Sequence, residues 1–219
     1  MQRIVIWGAQ GHAKVVAEAL RVAGDFELAG FIDDVSPQRA GEPFGGAKVL
    51  GGRQALHGLR AEGVSAMALA FGHNRARLAL LDEMRALGFD LPAVVHPSAV
   101  VAGDAMLGEG SFVGALAVVN PAARIGRAVI VNSGAIVEHD GDIADGVHLS
   151  PRACLAGGVR VGAASWIGAG STVREKLSIG RDVTVGMGSV VVRSLPDGVT
   201  AFGCPARIVA GGEADRNRR

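Results

Sequence analysis

The chain has 219 residues, room for one large domain or two small ones. Its 22 basic and 21 acidic residues are interspersed and leave a formal net charge of +1, which gives no electrostatic footprint for nucleic acid. No stretch approaches the ~18 uninterrupted apolar residues of a membrane span, and no N-terminal apolar run leads to a small-residue cleavage site. Cys154 and Cys204 stand far apart without ligand-like spacing, so the expectation is a cytoplasmic protein with neither a structural disulfide nor a metal site.

Residues 1–90 read as a small α/β unit. Ile4-Val5-Ile6-Trp7 is a short apolar run suited to a buried strand. Gly8-Ala9-Gln10-Gly11-His12 follows as a tight turn, and Ala13 to Val22 carries Val15, Val16, Ala19 and Leu20 at helical spacing before Gly24. Leu28 to Ile32 is a second strand ending at Asp33-Asp34. Ser36 to Gly46 reads as a polar loop, Arg53 to Glu62 as a short helix, and Ala66 to Phe71 as a buried strand ending at Gly72-His73-Asn74. Arg75 to Leu87 is a helix that Gly88 stops. Alternation of strand and helix implies a parallel sheet.

A Gly-rich turn between strand and helix offers backbone N–H groups to a phosphate. Asp33 and Asp34 lie where such units bind a ribose. Gly8 and Gly11 do not satisfy G-x-G-x-x-G. On spacing alone, a plain tight turn with solvated aspartates serves equally well.

From Val95 to Val191 every sixth residue is aliphatic, seventeen positions without a slip, beginning Val95, Val101, Leu107 and Val113. Four residues after each of these, eleven of sixteen positions are Ala, Ser or Gly. A helix repeats at 3.6 and a strand at two, so a period of six points to a parallel β-helix, three hexads to a coil, each coil touching only its neighbours. Gly108, Gly114, Asn120, Gly126 and Asn132, just after inward positions, fit corners needing positive φ or close backbone approach.

This stretch resembles the hexapeptide-repeat, left-handed β-helix acyltransferases. Gly8-Ala9-Gln10-Gly11-His12-Ala13-Lys14-Val15-Val16, Phe31-Ile32-Asp33-Asp34, Gly72-His73-Asn74 and His96-Pro97-Ser98-Ala99 resemble the sugar O/N-acetyltransferases that join a nucleotide-sugar-binding domain to such a helix. The resemblance implies a Rossmann-like α/β domain over 1–90, a left-handed parallel β-helix over 91–196, and a C-terminal extension over 197–219. It assigns nucleotide-sugar contacts to Gln10, Gly11, His12, Asp33, Asp34, Gly72 and Arg75. Gly203-Cys204-Pro205-Ala206-Arg207 resembles the motif that closes these helices beside the coenzyme A tail. Glu213 to Arg219 reads as a frayed charged tail.

Few titratable residues interrupt the repeat. His139 falls at a corner beside Asp140, and His148 falls just before inward Leu149; both are expected on the outer surface, where solvated histidines are the plain alternative. Ile136-Val137-Glu138-His139-Asp140 matches the family's active-site motif. The implied reaction is acyl transfer from acetyl-CoA to an amine, which needs a base and donors for an oxyanion. Imidazole, with a reference pKa of about 6.5, suits the base. His139 takes that role and Asp140 orients it. By resemblance, His148 and the Gly157 backbone face the thioester carbonyl, Asn132 orients the sugar amine, and Ala169 and Met187 bind pantetheine. Nine residues are half a coil, so His139 and His148 of one chain should lie on different faces and one ligand should meet them from two subunits of a homotrimer. The reading is an N-acetyltransferase for the 4-amino group of a nucleotide-linked sugar, in polysaccharide synthesis. Alternatives are O-acetylation of a sugar such as sialic acid, a carbonic-anhydrase-like zinc enzyme using His96, His139 and His148, and a catalytically inert sugar-sensing module.

Overall fold

The computed structural model describes residues 1–211, so the charged tail at 213–219 lies outside the described residues. Two bodies are visible: an α/β sheet and a three-sided coil.

The sheet comprises β1 (Gln2–Trp7), β2 (Phe26–Ile32), β3 (Pro43–Phe44), β4 (Ala47–Gly51) and β5 (Ala66–Leu69), in the order β3-β4-β2-β1-β5. Strand β1 pairs in parallel with β2 and β5, bringing Trp7 level with Ile32 and Leu69 at the carboxyl edge. Helices α1 (Gly11–Ala23), α2 (Leu56–Ala61) and α3 (Asn74–Ala86) cover the faces. The expected polar loop at 36–46 is instead partly ordered: Pro37–Arg39 forms a 3-10 turn, and Pro43–Phe44 pairs antiparallel with β4. Phe44 packs edge-to-face on Phe31, with ring centroids 4.9 Å apart, which draws the segment onto the sheet.

The coil follows from the hexad. Two-residue strands begin at Val94–Val95 and recur to Val190–Val191, and those up to Thr172–Val173 each pair in parallel with the strand eighteen residues on, as Val118–Val119 does with Ile136–Val137. The sixth-residue aliphatics and their small companions form one continuous core. The corner glycines just after inward positions serve close approach rather than positive φ: a Cβ at Gly108 would stand 2.5 Å from the Gly126 carbonyl. The left-handed conformation falls three residues after the inward position, at Gly134, Gly146 and Gly158, and also at Leu116, Asp140, Arg152 and Lys176.

The three faces of the prism differ outside. One carries Val100, Val118, Ile136, Cys154, Thr172 and Val190 outward, and Val100 is 63% exposed. A second carries Met106, Arg124, Asp142, Arg160 and Ser178. The third carries Val94, Phe112, Ile130, His148 and Trp166. On this third face, Val94, Phe112 and Ile130 pack against Ala13, Val16, Ala17 and Leu20 of α1. Phe112 and Ile130 are buried almost completely, worth about 1.5–3 kcal/mol each.

A second weld is polar. Arg77 of α3, fully buried, donates to the carbonyls of Ala128 (2.8 Å), Gly146 (3.0 Å) and Phe71 (3.0 Å) and to Asn74 Oδ1 (3.1 Å). Asn74 Nδ2 donates to the carbonyls of Ala164 and Ser165, each at 3.0 Å. Burial lowers the pKa of Arg77 to about 9.

Candidate active site

Val137 points into the coil, and the chain then turns the corner between the apolar and the charged face. Asp140 occupies the left-handed position at φ 59, a conformation that Asp tolerates better than most residues. The turn brings its Oδ2 to 2.8 Å from His139 Nδ1. A carboxylate there holds the proton on Nδ1 and leaves Nε2 as the basic nitrogen. Among the described residues His139 Nε2 has no hydrogen-bond partner, and it stands over Gly157, where a Cβ would lie 2.6 Å from it. Both side chains are largely exposed, at 63% and 68%.

His148 departs from expectation. It projects outside the prism wall, as the register requires, but is only 9% exposed, because the α/β unit covers this face. Its ring stacks on Trp166 with centroids 5.3 Å apart, and its Nε2 lies 3.3 Å from Asn132 Nδ2. Burial foremost, then the nearby Arg77 cation and His12, lower its pKa to about 3. His12 is lowered to about 4 by burial and Arg77. Both rings are therefore neutral at pH 7. His12 Nε2 and His148 Nδ1 are buried polar atoms without a partner among the described residues.

The α/β unit holds a cavity of about 570 Å³ at the carboxyl edge of its sheet, where such folds bind ligands. Gln10, Gly11, His12, Asp33, Asp34 and Gly72 line it. Gly8 is forced to be glycine, since a Cβ would stand 2.6 Å from the Ala70 carbonyl oxygen. At Gly11 a Cβ would meet nothing within 4 Å, so that turn has open space before it. Helix α1 begins after Gln10 with no side-chain cap and no acid in its first turn; the Ala13 N–H turns back to the Gln10 carbonyl at 3.0 Å, and the Gly11 and His12 N–H groups ahead of it are the ones placed for an anion. The sequence reading missed Trp7, Arg53, Ala76, Ala79, Leu80 and Glu83, which line the same cavity. Ala76, Ala79 and Glu83 fall at helical spacing and carried that signal.

Other expected contacts are engaged elsewhere. Arg75 Nε donates to Asp182 Oδ1 of the coil at 2.8 Å, and Arg75 does not line the cavity. Asp33 is largely taken up by Arg39 (2.7 Å) and the Ser36 N–H (2.9 Å), and Asp34 accepts from the Arg53 N–H at 2.9 Å. Asn132, Ala169 and Met187 stand on the corner between the docked and the apolar face, with Met187 81% exposed. His139 and Gly157 stand on the opposite edge of the apolar face. A single chain thus joins His139 to Asp140 and Gly157, and Asn132 to His148, but not the two pairs. His96 bonds to Ser98 at 2.8 Å and belongs to neither. Gly203 to Ala206 forms the bend of a terminal antiparallel hairpin, Val199–Gly203 with Ala206–Gly211.

A nucleotide-type cavity docked on a hexapeptide-repeat coil, with a histidine–carboxylate corner, defines a β-helix acyltransferase. Comparison with known proteins narrows the class. Residues 3–84 match the PglD N-terminal domain family. A histidine-to-asparagine variant of perosamine N-acetyltransferase from Caulobacter crescentus, solved with CoA and GDP-perosamine, is 43% identical over 96% of this chain and 98% of that one, with a TM-score of 0.91. The acetyltransferase domain of PglB from Neisseria gonorrhoeae FA1090 is 38% identical over 95% of this chain and all of that one, with a TM-score of 0.89. UDP-N-acetylbacillosamine N-acetyltransferase of Bacillus subtilis (strain 168) is 39% identical over 116 residues, and the match spans about half of each protein's length. The chain belongs to the hexapeptide-repeat N-acetyltransferases of nucleotide-linked amino sugars, with their Rossmann-like domain and left-handed β-helix.

Proposed function

We propose that the protein transfers acetyl from acetyl-CoA to the 4-amino group of a nucleotide-linked amino sugar. The observation that carries this reading is the His139 corner: Nδ1 fixed by Asp140 at 2.8 Å, and an Nε2 without a partner among the described residues, over a residue without a side chain. His139 Nε2 takes the proton of the attacking amine, Asp140 favours the imidazolium as it forms, and the amine attacks the thioester directly. Thiolate leaves as CoA, and the recovered proton neutralises it. Residues 1–90 hold the nucleotide, with the phosphates before Gly11 and His12. Residues 91–196 carry the transfer, and the hairpin Val199–Gly203 with Ala206–Gly211 closes the coil; the rest of the 197–219 extension, from 212 on, lies outside the described residues.

Assembly completes the site. The outward row Val100, Val118, Ile136, Cys154 and Val190 is an apolar face left uncovered by its own chain, and such patches mark interfaces. One edge carries His139 and Gly157, and the other carries Asn132, Ala169 and Met187. Packing copies head-to-tail around a three-fold axis sets one chain's first edge against the next chain's second. A cytoplasmic homotrimer in polysaccharide synthesis is the working reading. No described helix is long and apolar enough to cross a membrane.

Relatives bear GDP-linked and UDP-linked sugars in their names, so the test is thiol release from acetyl-CoA with a panel of nucleotide-linked amino sugars. N-acetylated product and CoA in equal amounts are expected. CoA release with no sugar in the panel would contradict the reading.

A further inference from the structure

The cavity has two ends of different chemistry. At the coil end lie Gly11 and His12, whose ring meets coil residue Phe112 edge-on at 5.3 Å. Along the wall, α3 presents Ala76 and then Ala79, small enough to leave a flat apolar surface. Glu83 follows, seven residues or about 10 Å beyond Ala76 along the helix axis, about the span of a ribose and a base. At this outer end Arg53 bonds to both Asp34 and Glu83 and lies over the Trp7 ring at 5.2 Å.

Two carboxylates share one guanidinium. Asp34 is pinned a second time, by the Arg53 backbone N–H at 2.9 Å. Glu83 has no such tether, and its side chain is 45% exposed. Among the described residues Glu83 is held through the Arg53 side chain alone, so a ligand that engages Arg53 can take over the carboxylate, while Asp34 stays on the Arg53 backbone N–H.

A carboxylate presents two adjacent acceptors. Guanine's pairing edge offers two adjacent donors, the N1–H and the 2-amino group, beside an O6 acceptor suited to Arg53. Uracil and thymine place their single N–H between two carbonyls, so the second carboxylate oxygen would face an oxygen. Adenine and cytosine set one amine beside a ring acceptor. We propose that Glu83 is the base-reading residue and that the base is guanine, making the acetyl acceptor a sugar carried on guanosine diphosphate. This rests on the proposed reading of the cavity as the nucleotide pocket.

The experiment is titration calorimetry of the full chain with GDP, IDP, UDP, dTDP and ADP. GDP should bind roughly tenfold or more above UDP and dTDP, as a bidentate contact provides. IDP, which lacks only the 2-amino group, should bind more weakly than GDP. Glu83→Gln should lose most of the GDP affinity and erase the GDP–IDP difference at unchanged melting temperature. UDP or dTDP binding as tightly as GDP overturns the inference and leaves the pocket standing, as does a Glu83→Gln variant that keeps its GDP affinity. If no diphosphate binds while sugar acetylation proceeds, the pocket reading falls and the inference with it.

Discussion

The docked face and the apolar face of the coil are built from the same hexad, and their outward residues meet opposite fates. On the docked face Phe112, Ile130 and His148 are covered by the α/β unit of the same chain. On the apolar face Val118, Ile136 and Cys154 have no cover from their own chain and remain half-exposed. The two histidines follow this division. His148, sealed beside Arg77, is neutral and bonded to Asn132, whereas His139 stands at the open edge with a free ring nitrogen. The repeat alone does not decide chemistry; what covers each face does.

The largest effect should come from Ile136→Asp, which places a charge on the apolar face. If that face is an interface, the buried charge costs about 3 kcal/mol or more, and light scattering should show monomers without transferase activity. Trimers of normal activity would break the comparison.

Arg77→Met should act on the docked face alone. It strands several buried carbonyls, each worth about 1–3 kcal/mol when unpaired, so calorimetry should show a melting temperature lowered by many degrees. A chain as stable as wild type would mean that the polar weld contributes nothing.

Acid sharpens the contrast. The unfolded chain protonates His148 near its ordinary pKa of about 6.5, but the folded chain does so only near 3. Stability is therefore complete above about pH 6.5 and falls as pH drops below it, because only the unfolded state gains the proton. Between pH 7 and 5 the loss should be on the order of 2 kcal/mol for His148 and nearly as much for His12, whose folded value of about 4 also lies below this window. Denaturant melts of His148→Gln should show a flatter pH dependence; an unchanged slope would argue against a buried neutral ring.

Gly157→Ala should have the smallest effect on the fold and still reach His139. Its backbone lies outside the left-handed region, so the added methyl displaces only the His139 ring above it. The turnover rate should fall roughly ten- to a hundredfold from misplacement of the base, at unchanged melting temperature.

The coil was legible in the sequence because its period is enforced at every step by an inward residue with no alternative position. The His139–Asp140 pair was legible for the same reason, since register fixes which corner a residue occupies. The burial of His148 was not, because it depends on a docking surface built by α1 and α3 some seventy residues away or more. Arg77 left one overlooked signal: a cation on the same helical stripe as Leu80, Leu81 and Met84. Phe71, Gly72 and Ala76 line the cavity, while the helical position of Arg75 between them turns it toward Asp182.

The most direct measurement is thiol release by His139→Ala against wild type at saturating acetyl-CoA and sugar substrate, with melting temperatures recorded alongside. A general base held by Asp140 predicts a turnover rate lower by 10²–10⁴-fold at unchanged stability. A loss smaller than about tenfold would contradict the role assigned to the open corner.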